Sequence, residues 1–187
     1  SVFSFVFKLK ISSHKLTQIY DYLKKHNSNI SKKNIGIMLS IRFLLKNFIE
    51  SSLGYYYNNV LLTEWSSLMT DFIKIDNFDE LKTRIESLSG QVKIKLGLKY
   101  KEIQKDYRSV NEIIDLFHNL VMRAEYFSNK DLNERINNIS RLVHSNVFEV
   151  VKFFHSLSQI TNIYHDLFMN LNFNNYFDPH LLESIND

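Results

Sequence analysis

Apolar residues recur along this chain at spacings of three and four, and no sustained run alternates as a strand would. Val2, Phe5, Val6, Leu9, Leu16, Ile19, Tyr20 and Leu23 follow helical spacing, which predicts a first helix ending near His26. The polar run NSNISKKN, Asn27 to Asn34, reads as a loop. From Ile35 to about Ile73 apolar residues cover much of the circumference, so a long segment should be buried on several sides. Gly54 is the expected bend in it, and Trp65 an expected core residue.

Asn77-Phe78-Asp79-Glu80 carries a helix-start signal, with Asn77 as cap and Glu80 three residues on. That helix should run to about Leu96 and break at Gly97. The charged stretch KYKEIQKDYR has no clear assignment, and Ser109-Val110-Asn111-Glu112 repeats the start signal. It predicts a helix through Phe127 with Ile113, Leu116, Phe117, Leu120 and Val121 on one face. After the turn SNKD, the periodicity from Leu132 to about Leu171 hardly breaks, and Pro179 ends the pattern, with room for a short last helix. The expected fold is all-α: a bundle of about five or six mostly antiparallel helices, part of a larger helical protein.

Composition narrows the chemistry. With 4 Gly and 1 Pro in 187 residues, long helices are favoured over strands and turns. The absence of Cys excludes disulfides and thiolate metal sites. No stretch approaches the roughly 18 uninterrupted apolar residues of a membrane span. The opening SVFSFVFKLKI starts apolar and mid-pattern, which reads as a piece cut from a longer protein. The net charge of +3 is uneven: residues 1–50 hold nine Lys and Arg against two acids, net +7, and the remainder fourteen against eighteen, net −4. A basic first third is suited to an acidic partner.

Catalytic signals are lacking. His14, His26, His118, His144, His155, His165 and His180 form no H-E-x-x-H motif. His144, His155 and His165 lie near one helical face, but no Glu-x-x-His pair accompanies them. There is no Gly-rich phosphate loop and no nucleophile elbow. The carboxylate pairs Asp79/Glu80 and Asp131/Glu134 sit at helix starts, where the helix dipole accounts for them. No enzyme activity, cofactor, metal, nucleic acid or membrane partner is expected; a helical interaction or scaffold domain remains.

Four blocks, in order, resemble the C-terminal domain of the gamma-tubulin complex protein family. In the first, Phe3, Phe5, Phe7, Leu9, Lys10, Leu16 and Ile19 stand at matching places, with Tyr20 where the family has Trp. In the second, Phe48, Tyr55, Val60, Trp65 and Leu68 fit the family's most characteristic helix. Phe78-Asp79-Glu80-Leu81 is similar to the start of the next one. The fourth is Leu167-Phe168-Met169-Asn170-Leu171-Asn172-Phe173-Asn174-Asn175-Tyr176-Phe177, which resembles the family's closing signature. Asn59 and Thr63 replace the usual Glu and Pro, and KTRIESLSG lacks the family's His and Tyr-Leu.

The resemblance implies that residues 1–187 are most of a gamma-tubulin-binding domain. Such a domain serves a non-enzymatic scaffold that stands beside other gamma-tubulin complex proteins and templates microtubule nucleation. The departures fit a fungal member at a spindle pole body. Expected interface residues are Arg42, Phe48, Tyr55, Tyr56, Tyr57 and Asn58, and then Phe173, Asn174, Asn175 and Tyr176. Three consecutive Tyr cannot share one helix face, so at least one should be exposed. A competing reading makes the closing stretch a cap that locks the last helix to the core, with Asn accepting the turn geometry. The alternative to the family is an unrelated helical adaptor.

Overall fold

The computed structural model describes residues 1–26, 28, 30–72, 75 and 77–179. The described residues are helical throughout, with turns between and no strand. Six helices have eleven residues or more: α1 (Val2–Lys25), α2 (Lys32–Tyr55), α3 (Leu62–Phe72), α4 (Phe78–Lys95), α5 (Lys101–Met122) and α6 (Asn129–Ile160). A seven-residue α7 (His165–Leu171) follows. A π-helical turn, Tyr56–Leu61, joins α2 to α3 without interruption.

Four helices form the core: α1, α2, α6 and α5 pack in that order around a ring. Polar pairs between the helices give their directions. Arg42 donates to the Leu16 carbonyl and Lys46 to the Ser13 hydroxyl, so α1 and α2 run antiparallel. Ser12 meets Asn111 and Lys15 meets Asp115, so α1 and α5 run parallel. α2 and α5 lie on the diagonal and meet across the centre, where the Ser52 hydroxyl is 2.9 Å from that of Tyr107 and the Phe48 and Tyr107 rings are 5.3 Å apart. Phe48, Phe117 and Phe154 are withdrawn from water, each contributing about 2–3 kcal/mol. The α3–α4 hairpin carries the chain from the end of α2 to the start of α5.

Several expected boundaries move. Ser109 does not start a helix; it lies inside α5, because Ile103, Tyr107, Val110, Ile114 and Phe117 form one buried stripe from the first turn onward. α5 ends at Met122, and the 3₁₀ turn Ala124–Tyr126 leads out of it. Ser31 caps α2, which therefore begins within the predicted loop, with Asn34 buried. The long final helix breaks at Thr161, whose backbone is extended and whose hydroxyl caps the next turn. That break folds α7 back onto α2 and α6. The run from Ile35 changes character at the π turn, two residues beyond Gly54. His180 and any last helix beyond it lie outside the described residues.

The expected stop at Gly97 is present in full. Gly97 has φ 69°, and its N–H bonds the Ile94 carbonyl while that of Leu98 bonds the Lys93 carbonyl, the paired closure of a left-handed helix end. A Cβ on Gly97 would sit 3.0 Å from the buried Phe154 ring. Gly97→Ala therefore combines backbone strain with overpacking, and should lower stability by about 2–3 kcal/mol. Urea unfolding followed by circular dichroism checks it; a loss below about 0.5 kcal/mol would contradict the account.

Candidate interaction surface

The structure separates the expected interface residues into core and surface. Phe48, Tyr55 and Tyr56 are buried, so their side chains are not available to a partner. The Tyr55 hydroxyl points inward, 3.0 Å from the Ile163 carbonyl and 3.3 Å from that of Lys95. Tyr57 and Asn58 face outward, and the Lys10 ammonium lies 5.0 Å from the Tyr57 ring. Arg42 covers the Tyr20 ring at 4.8 Å while bonded to α1.

The closing stretch is a cap with an aromatic rim. The buried Asn172 side chain accepts from the Phe177 N–H at 2.9 Å and donates to the Asp178 carboxylate at 2.6 Å. Asn175 adopts φ 55°, which Asn tolerates better than most residues. Phe177 is buried against Phe148, while Phe173 and Tyr176 stay half exposed. Asn174 contributes backbone to this 3₁₀ turn. Phe173 and Tyr176 join Phe43 of α2 around a cavity of about 90 Å³ whose wall includes Phe48 and His144.

An exposed apolar stripe lies where the sequence predicted core. Trp65 is 53% exposed, and Leu62, Met69 and Phe72 are exposed with it. At about 100° per residue these four share one stripe of α3. α3 packs chiefly on the π turn and α4, and only Leu68 of its residues is buried, which is why Trp65 stays in solvent. The two helices are joined by polar groups: Lys95 to Glu64 at 2.6 Å, and Arg84 to Asp71 at 2.5 Å and Ser67 at 2.9 Å. Those pairs make the hairpin antiparallel. By the same spacing Trp65 and Phe72 of α3 and the exposed Phe78 and Ile85 of α4 are turned to one side of the line of contact, while Leu62 and Met69 point away from α4. The spacing of Leu62, Trp65, Met69 and Phe72 was visible in the sequence; that none of the described residues covers it was not.

Among the described residues no group of three His, Asp or Glu could hold a metal, and no helix is long and apolar enough to cross a membrane. His144 stacks near Tyr176 and His155 leans on Phe168.

The sequence profile of gamma tubulin complex component C-terminal domains matches residues 1–177. The chain belongs to this family. No curated protein matches it closely enough to count as a relative. A match over nearly the whole chain displaces the reading as an unrelated adaptor. The chain is a component of gamma-tubulin complexes, a structural family, and the four blocks that carried the resemblance all lie within the matched span.

Two outcomes follow for this gamma-tubulin complex component. Burial, with the Asp166 carboxylate adding to it, pushes the Tyr55 hydroxyl up to about 12; burial, with Tyr100 adding to it, does the same for Tyr164. Both stay protonated in the fold, so their contribution is complete below the ordinary value of 10.0 and is lost as pH rises toward 12. The urea midpoint should fall between those values, and fall less steeply in Tyr55→Phe/Tyr164→Phe; equal slopes would refute the assignment. Asn172→Ala leaves the Phe177 N–H without its acceptor and should cost about 1–3 kcal/mol. Hydrogen exchange should quicken more at Phe177 than at Leu16 in the core of α1.

Proposed function

We propose that this chain is the gamma-tubulin-binding domain of a non-enzymatic scaffold, and that gamma-tubulin docks on the α3–α4 face. The observation that carries the reading is the exposed stripe of Leu62, Trp65, Met69 and Phe72, continued by Phe78 and Ile85, in a chain of this family. A contiguous apolar patch of this kind marks an interface on a soluble surface, and Trp is among the residues that most often dominate binding energy. Tyr57 and Asn58, at the root of the hairpin, form its near edge. Arg42, Phe173, Asn175 and Tyr176 lie on other parts of the surface and are available to neighbouring subunits.

The mechanism is geometric. The four-helix core fixes the root of the hairpin, and the ion pairs to Glu64 and Asp71 fix its two arms. A row of such bodies, side by side with other gamma-tubulin complex proteins, holds gamma-tubulin at a set spacing. The lateral contacts that start a microtubule are then preorganised. A microtubule-organising centre, in a fungus the spindle pole body, is the site of action that fits.

The test is capture of purified gamma-tubulin by the full-length protein and by Trp65→Ser/Met69→Ser/Phe72→Ser, with helicity checked by circular dichroism. The variant should bind at least about tenfold more weakly. Capture equal to wild type would move the interface off the hairpin. A folded wild-type protein that captures nothing would overturn the function itself.

A further inference from the structure

At the end of the bundle where α1 and α5 begin and α4 ends, a cleft of about 420 Å³ opens between the three helices. Lys8 of α1, Lys93 of α4 and Arg108 of α5 line it, and no carboxylate does. All three cations are exposed, and among the described residues none has an ion-pair or hydrogen-bond partner. Four cations elsewhere in the fold sit beside an acid: Lys15 with Asp115, Lys46 with Glu50, Arg84 with Asp71 and Lys95 with Glu64. The cleft instead gathers three cations with no acid among its lining residues, and like charges repel one another.

Two of its neutral polar groups are already engaged. Gln104 donates to the Leu98 carbonyl at 2.7 Å, and Asn111 donates to the Tyr107 carbonyl while accepting from Ser12. The donors left for a ligand are the cations and the hydroxyls of Ser1 and Ser4, the former of which only accepts, from the Ser4 N–H. Between them lie the apolar parts of Val2, Phe5 and Leu98. An extended acidic segment would call for cations in a line along one helix. Here they come from three helices and surround one volume, which matches a compact group with several negative oxygens. The Arg fork and two ammonium groups complement a phosphate dianion better than a single carboxylate.

We propose that this cleft binds a phosphate monoester, the phosphate held by Lys8, Lys93 and Arg108 and the ester's organic part resting on Val2, Phe5 and Leu98. The site lies apart from the Trp65 stripe, and it does not depend on gamma-tubulin docking there. The same chemistry is carried by a phosphorylated side chain of a partner or by a small organic phosphate.

The test is fluorescence polarisation of a labelled pentapeptide with a phosphoserine between two leucines, titrated with the full chain. The unphosphorylated peptide, phenyl phosphate and inorganic phosphate are the competitors. Binding should need the phosphate and weaken as salt rises. It should fall about tenfold in Lys8→Glu/Arg108→Glu and a few-fold in Lys93→Gln, with helicity unchanged. A peptide tighter than phenyl phosphate identifies a partner segment as the source; equal affinities identify a small organic phosphate. The proposal is overturned if neither monoester binds, if the double variant binds as wild type does, or if inorganic phosphate competes as well as phenyl phosphate.

Discussion

Everything beyond the four core helices depends on how α4 is ended. Its last carbonyls would be orphaned at a helix end packed against the core. The turn at Gly97 satisfies those of Lys93 and Ile94 from the backbone. Two tyrosine hydroxyls add to this: Tyr164 gives the Ile94 carbonyl a second donor at 2.6 Å, and Tyr55 reaches that of Lys95. Tyr55 comes from the end of α2 and Tyr164 from the joint between α6 and α7, so one helix terminus ties together three separate parts of the chain. Unsatisfied carbonyls here would each cost about 1–3 kcal/mol, enough to make the direction of the hairpin indefinite.

That closure divides the molecule into a part that holds and a part that reaches. The core buries Phe48, Phe117 and Phe154 almost entirely, while Phe3 and Phe7 of α1 and Phe43 of α2 stay on its outer side. The hairpin does the opposite, burying Leu68 of α3 and Val92 of α4 while leaving its larger apolar residues in solvent. Salt bridges do for α3 and α4 what apolar contact does elsewhere. The apolar stripes are thereby left free, at a modest gain in stability, since exposed pairs are worth little.

Much of this was legible in the sequence. Periodicity placed α1, α4 and most of α6, the cap at Asn77 stands where turn chemistry put it, and the turn SNKD opens α6 with Ser128 as its cap. Gly97 was read as a stop and is one. The failures share a cause. Ser109 looked like a cap because local chemistry there resembles one, yet the stripe from Ile103 to Phe117 outweighed it. Trp65 looked like core because a stripe of large apolar residues normally is; whether a partner helix covers it depends on tertiary placement, which spacing does not encode. For the same reason the Tyr run could be said to expose at least one ring, and only the fold shows that the exposed one is Tyr57. The closing stretch was legible as a cap, and Asn172 and Asn175 are the residues that make it one.

The π turn at Tyr56–Leu61 has a consequence for the long helical rod that runs from Lys32 to Phe72. A π turn closes its hydrogen bonds one residue later than an α turn, so it inserts one residue into the helical count. Each inserted residue shifts the rotational phase of all that follows by about 100°. The Phe48 stripe and the Trp65 stripe are thus two halves of one rod held out of phase, one turned to the bundle and the other nearly opposite. Deleting one residue of the turn would leave both sequences and both helices intact, and would still re-aim the Trp65 stripe by more than a quarter of a revolution.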